Sequence, residues 1–263
     1  MSNLPEEGEA SEPFPDFTND FYSFLNIPAS ELIKGAEQER VKQILIIIAG
    51  TMGIGKTTLV ENIIAKIQEF YGLENVNTVY TQVSTEVLME YAFKGNPHRG
   101  WNAKKPVQVI IFDDATAFKL STNDQRVFCS MRHRMMENTG QKEGIIYNIL
   151  VTHDWYRLDP NFRRNAIVTC FLSVSPLDQY SRREYGNILG DDGVKYLSEK
   201  LAKALRFDEA KGIGLVVLPF KPNEQFRTVG MLKWKNIGPV DYIVIKKLPM
   251  GRLVFANKVK KNE

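Results

Sequence analysis

With 263 residues, 43% of them hydrophobic and 25% charged, the chain can bury a full core, which excludes disorder as its global state. A formal charge of +3 is too small to imply a nucleic-acid partner by itself. Cys129 and Cys170, the only cysteines, make neither a disulfide framework nor a zinc site. The start lacks a basic and then apolar segment and no apolar run nears ~18 residues, so a cytoplasmic protein without membrane insertion is expected.

Residues 1–20 hold Glu6, Glu7, Glu9, Glu12, Asp16 and Asp20 and no Lys or Arg. That composition predicts a disordered acidic leader. Residues 21–40 predict a short helical element. VKQILIIIAG then reads as a strand buried on both faces, as in a parallel sheet. In TTLVENIIAKIQEFYG, Leu59, Ile63, Ile64 and Ile67 recur at helical spacing and Gly72 is a candidate C-cap.

NVNTVYTQV predicts a strand, STEVLMEYAF a helix and KGNPHRGWNAKKP a loop. VQVIIFDDA is a second buried strand, followed by a polar, basic helix in STNDQRVFCSMRHRMMENTG. IIYNILVTHDW and NAIVTCFLSV are the third and fourth buried strands. A charged helical stretch, YSRREYGNILGDDGVKYLSEKLAKALRF, precedes strands in GIGLVVLPF, RTVGMLKWKN, YIVIKKL and GRLVFANK. This alternation predicts an α/β fold with a mainly parallel, doubly wound sheet sandwiched by helices, plus C-terminal strands from about residue 210. Ligands of such sheets sit at the carboxyl ends of the strands.

GTMGIGKT, Gly50 to Thr57, follows the first buried strand, opens a helix and satisfies G-x-x-x-x-G-K-[ST] in full. Gly50 and Gly55 let the backbone N–H groups of Gly50, Thr51, Met52, Gly53, Ile54, Gly55, Lys56, Thr57 and Thr58 turn inward, where they and the helix N-terminus receive phosphate oxygens. Lys56 reaches the β and γ phosphates as a point charge, and the Thr57 hydroxyl coordinates Mg²⁺. This is the ATP and Mg²⁺ site of a P-loop NTPase, so 41–263 is read as that domain. ATP is preferred over GTP because no Asn-Lys-x-Asp guanine motif is present.

The strand ending VIIFDDAT adds two carboxylates. Asp113 is placed to hold Mg²⁺ in the Walker B role, and Asp114 to orient or deprotonate the attacking water. Where many P-loop ATPases have Glu, Asp114 is a shorter reach. Thr152 and His153 end the third buried strand; if that strand lies beside the Walker B strand, one of them senses the γ phosphate, and otherwise they cap a turn. Two arginine groups, Arg132 with Arg134 and Arg163 with Arg164, are candidates for a finger that completes a neighbour's site, for DNA phosphate contacts, or for plain surface charge. Arg99, Trp101, Lys104 and Lys105 combine basic residues with an aromatic, a composition suited to DNA backbone contact and stacking or to an ordinary solvated loop. The Lys-rich C-terminal third is a second candidate DNA surface.

Taken in order, these motifs resemble the additional-strand P-loop ATPases, with a RecA-like sheet. Over residues 40–175 the chain is similar to the FtsK/HerA-type DNA translocases and viral genome-packaging ATPases, through Asp113-Asp114, Arg132-His133, Thr152-His153 and the segment Pro160-Asn161-Phe162-Arg163-Arg164-Asn165-Ala166. His153 stands where Gln is common. DnaA/DnaC-like AAA+ ATPases also favour Asp-Asp, but carry a helical lid where this chain is stranded. The resemblance implies an Mg²⁺-dependent ATPase acting on DNA as a ring-shaped homo-oligomer, a hexamer being expected. A small-molecule kinase and an ATP-dependent assembly scaffold stand as alternatives of another class.

Overall fold

The computed structural model describes residues 15–26, 40–81, 105–114, 130–131, 133, 143–155, 157–173, 195, 198–199, 212–218, 228–238, 240, 242–247 and 253–258. In chain order these form α1 (Thr18–Leu25), β1 (Arg40–Ala49), α2 (Lys56–Tyr71), a 3-10 turn (Leu73–Asn75), β2 (Val76–Thr81), β3 (Val107–Phe112), β4 (Glu143–Thr152), α3 (Pro160–Asn165), β5 (Val168–Phe171), β6 (Ile213–Leu218), β7 (Thr228–Lys233), β8 (Tyr242–Lys247) and β9 (Leu253–Lys258). The helices expected after β2 and β3, and the charged helical stretch after β5, fall wholly or largely outside the described residues.

All nine strands join one sheet in the order β7-β6-β5-β1-β4-β3-β2-β8-β9. The inner strands β5, β1, β4, β3 and β2 pair in parallel, and β8 pairs in parallel with β2. Only β6 and β9 run against the rest. The fold is therefore the expected α/β, mainly parallel sheet. β4 is inserted between the P-loop strand β1 and the carboxylate strand β3, in register from Arg40↔Glu143 to Ala49↔Thr152 on one side and from Val107↔Ile145 to Phe112↔Leu150 on the other.

The Ile-rich runs become central strands because both of their faces find cover. Ile46 and Ile48 on one face and Leu45 and Ile47 on the other are each at most 4% exposed. α2 lays Leu59, Ile63 and Ile67 on the first face, joined by Phe21 and Leu25 of α1. Gly72 ends α2 at φ 83°, a conformation that costs glycine little, and its N–H closes on the Gln68 carbonyl at 3.0 Å.

The composition assigns residues up to 20 to a leader, yet residues 15–20 are built into the fold. Pro15 and Phe17 bond the backbone of Met231 in β7. Asp16 pairs with Lys233 at 2.7 Å, and α1 starts at Thr18. Acidic composition marked the segment as polar; the non-local partner that orders it lies more than two hundred residues along the chain.

Candidate active site

β1 ends at Ala49, and the chain turns away from the sheet at Gly50, whose N–H still donates to Thr152 at 3.2 Å. A side chain at Gly50 would press on Ile54 and Leu172, so the turn needs glycine there. Gly55 is left-handed at φ 95° and forms the N-cap of α2 with no side-chain cap. The first N–H groups of α2 thus remain available to an anion, and the helix dipole favours one there. Thr51 N–H is fixed by the Ser173 hydroxyl at 3.0 Å, which ties the cradle to the end of β5.

Lys56 is buried beneath the loop. Its ammonium donates to the Gly50 and Thr51 carbonyls at 2.7 Å each and meets His153 Nδ1 at 2.9 Å. Burial lowers the Lys56 pKa, while the Asp113 and Asp114 carboxylates pull it back up. An ammonium has three protons and no lone pair, so at this contact Nδ1 is the acceptor and the His153 ring carries its proton on Nε2.

Asp113 and Asp114 leave the end of β3 half-buried. Asp113 N–H donates to Thr81 at 3.0 Å, prolonging the β2–β3 pairing, and Asp114 N–H returns to Asp113 Oδ1 at 3.0 Å. Asp114 has φ 50°, the only positive φ outside glycine among the described residues. Short polar side chains tolerate that region best.

Burial first, and then the charge of the nearby Asp113 carboxylate, push the phenol of Tyr80, at the end of β2, well above its ordinary value. Thr57, in the first turn of α2, and Asp113, just past the end of β3, offer a hydroxyl and a carboxylate, the hard oxygen donors that suit Mg²⁺. Among the described residues no cluster of three or more His, Cys, Asp or Glu offers a fuller metal cage. The motif reading omits Tyr80. Its one signal was an aromatic hydroxyl at a carboxyl strand end.

β4 does lie beside the Walker B strand, and the two candidates at its end differ. Thr152 is fully buried, and its hydroxyl is spent on the Asp154 backbone, donating to the carbonyl at 3.0 Å and accepting from N–H at 3.1 Å. His153 faces Lys56. Thr152 thus caps a turn, while His153 reaches the cradle lysine.

Arg163 and Arg164 close α3, which is capped by Asp159 accepting from Asn161 N–H. Arg163 is buried and Arg164 exposed. The next strand, β5, begins beside Ile46, four residues before Gly50, roughly 13 Å down the strand at the usual rise. The pair thus closes the helix that leads into the start of β5. Arg132, Arg134, Arg99, Trp101 and Lys104 lie outside the described residues. Lys105, a candidate DNA contact, donates to the Leu73 and Val76 carbonyls at 3.0 and 2.9 Å.

Residues 46–173 match the model of the "ATPase family associated with various cellular activities (AAA)". The matched span holds the cradle, both carboxylates, His153 and the arginine pair. The chain carries an AAA-family P-loop ATPase domain. No curated protein matches this ATPase. Among solved structures it is similar to the DNA-packaging ATPase B204 of Sulfolobus Turreted Icosahedral Virus, at 14% identity over 74% of this chain and 98% of that one, with a TM-score of 0.42. It is also similar to the pCW3 conjugation coupling protein TcpA, at 13% identity over 74% of this chain and 61% of that one, with a TM-score of 0.39. The N-terminal domain of zonular occludens toxin from Neisseria meningitidis matches at 13% identity over 74% and 95%, with a TM-score of 0.39. No helix among the described residues is long and apolar enough to cross a membrane.

Proposed function

We propose that this ATPase is a ring-forming, Mg²⁺-dependent motor that moves or remodels DNA. One observation carries the ring: Arg164 is exposed, at the end of the helix that leads into β5. An arginine so placed serves a neighbour's nucleotide, where its charge stabilises the transferring phosphoryl group. The DNA part rests on the order of motifs in the sequence and on the Lys-rich C-terminal third.

The chemistry follows from the residues. Incoming ATP phosphates exchange for the Gly50 and Thr51 carbonyls as partners of Lys56. Asp114 orients the attacking water and takes up its proton. His153, neutral at Nδ1, stays on Lys56 and reads the γ-phosphate position. Thr57 and Asp113 would hold Mg²⁺, which when bound neutralises charge on the β and γ oxygens.

Steady-state hydrolysis with and without single- and double-stranded DNA tests the motor. DNA stimulation that fades with salt is expected, as backbone contacts release counterions. Hydrolysis indifferent to DNA at every salt overturns it in favour of a switch or scaffold. Lys56→Ala and Arg164→Ala should each abolish turnover, and mixing the two should restore it, since Lys56→Ala subunits still donate an arginine. No recovery on mixing defeats the ring reading. A DnaA/DnaC-like replication ATPase is the second reading, favoured by the AAA match; DNA binding without movement along it would select that one.

A further inference from the structure

Trp234 follows β7 and is 6% exposed. Its indole lies between two glycines. A methyl built on Gly214 of β6 would meet Cζ3 and Cη2 of the ring at 3.3 and 3.4 Å, and one built on Gly55 would meet Nε1 at 3.6 Å and Cζ2 at 3.9 Å. The ring therefore sets its carbon rim against the sheet and turns its nitrogen edge to the cradle. The backbone around it is pinned. Trp234 N–H donates to the Gly212 carbonyl at 2.8 Å. Lys233 N–H donates to the Thr18 hydroxyl at 2.9 Å, and the Lys235 carbonyl accepts from Asn62 of α2 at 2.7 Å. Held on both sides, the indole keeps its aim.

That aim is at an anion site. Gly55 is the N-cap of α2, a 16-residue helix with no side-chain cap on its first N–H groups, and phosphate oxygens collect at such a helix start. An indole nitrogen is a donor only, and when buried it ordinarily has an acceptor. Among the described residues Nε1 of Trp234 has none. A buried donor without an acceptor is costly. Here it stands beside a helix N-terminus that is itself open to an anion, so one incoming oxygen group serves both.

We propose that Trp234 is a nucleotide-binding residue, its indole N–H donating to a phosphate oxygen held at the N-terminus of α2. The proposal rests on the reading of Gly50 to Thr57 as the phosphate cradle.

Inorganic pyrophosphate and ADP are the probes, in the full chain. Calorimetry gives both affinities for Trp234→Phe, which keeps an aromatic ring in the slot and removes the N–H. Both should weaken about tenfold, the scale of one hydrogen bond to a charged group. A loss for ADP alone assigns the indole to the sugar or base, and no loss for either leaves the N–H idle; each overturns the proposal. Phenyl is smaller than indole, so a second measurement keeps Trp234 intact. In a chain with Trp101 and Trp155 replaced by Phe, the one indole left is that of Trp234. Its N–H resonance should move downfield as pyrophosphate binds, and a resonance that stays in place overturns the proposal. Lys56→Ala separates the two readings. If that variant binds pyrophosphate with full affinity, the cradle is misassigned and the proposal falls with it. If it loses pyrophosphate while the Trp234 resonance does not respond, only the role of Trp234 falls.

Discussion

At the scale of single residues, the site turns on how Lys56 is held. Three acceptors, Gly50 O, Thr51 O and His153 Nδ1, take its three protons. Each contact keeps a buried ammonium satisfied. His153 is the one side chain among them and the one that sits between the lysine and the end of β4. Replacing it with Ala leaves the carbonyls in place, so nucleotide binding should survive. In the proposed mechanism, what is lost is the group that reads the γ-phosphate position. His153→Ala should therefore lower kcat about 100-fold, the scale of one lost catalytic hydrogen bond, with little change in KM. Steady-state kinetics beside equilibrium binding of a fluorescent ATP analogue checks this; a rise in KM with kcat intact would make His153 a binding residue only. The sequence named His153 and Thr152 together and had no means to separate them. Their difference depends on which side of β4 each faces after the strand ends, and on Asp154 offering its backbone to Thr152.

At the scale of elements, the segment Pro15–Leu25 shows how a terminal piece is fastened. Asp16 accepts from Thr18 N–H and hydroxyl at 3.0 and 2.6 Å and from Lys233 at 2.7 Å. Phe17 lies over Gly230, where an added methyl would fall on its ring and on the Pro15 carbonyl. Gly230→Ala should thus cost about 1–3 kcal/mol by overpacking and release the segment, read as faster hydrogen exchange at Phe17 and Met231. The Asp16 carboxyl is lowered from 3.8 to about 2, first by Lys233 and then by Thr18. Between those values the unfolded chain binds more protons, so stability rises with pH there. The clamp's contribution should be full above pH 3.8 and vanish as pH falls toward about 2. Asp16→Asn should flatten that slope in acid unfolding curves; an unchanged slope would mean the pair is not holding the segment. The leader boundary failed for the same reason. Apolar runs such as ILIIIA and VQVIIF declare buried strands through local pattern alone, whereas residues 15–20 are ordered by partners on β7.

At the scale of the whole molecule, the C-terminal strands do more than lengthen the sheet. They flank it on both edges, β6 and β7 beside β5, β8 and β9 beyond β2, and each pair returns a large aromatic to the nucleotide site. On one edge Tyr242 holds Tyr80. On the other, Trp234 follows β7, bonds the Gly212 carbonyl through its N–H at 2.8 Å and sets its indole edge beside Gly55. Asn62 of α2 then bonds both Thr58 and Lys235 carbonyls, at 2.9 and 2.7 Å. The strands were legible as strands, but their edges and their aromatics were not, because order in a sheet is set by pairings far apart in sequence. The wall of the cradle is thus built by residues nearly two hundred positions downstream, and nucleotide binding must be felt there. In a chain with Trp101 and Trp155 replaced by Phe, ADP should shift the emission of the remaining Trp234. Trp234→Ala should cost about 3–5 kcal/mol, as large buried aromatics do, and weaken ADP binding beyond what Trp155→Ala does. Trp155 is equally buried but packs on Phe171, away from Gly55, so it controls for stability alone. Equal loss of ADP affinity in the two variants would reduce the C-terminal wall to a stabiliser of the sheet.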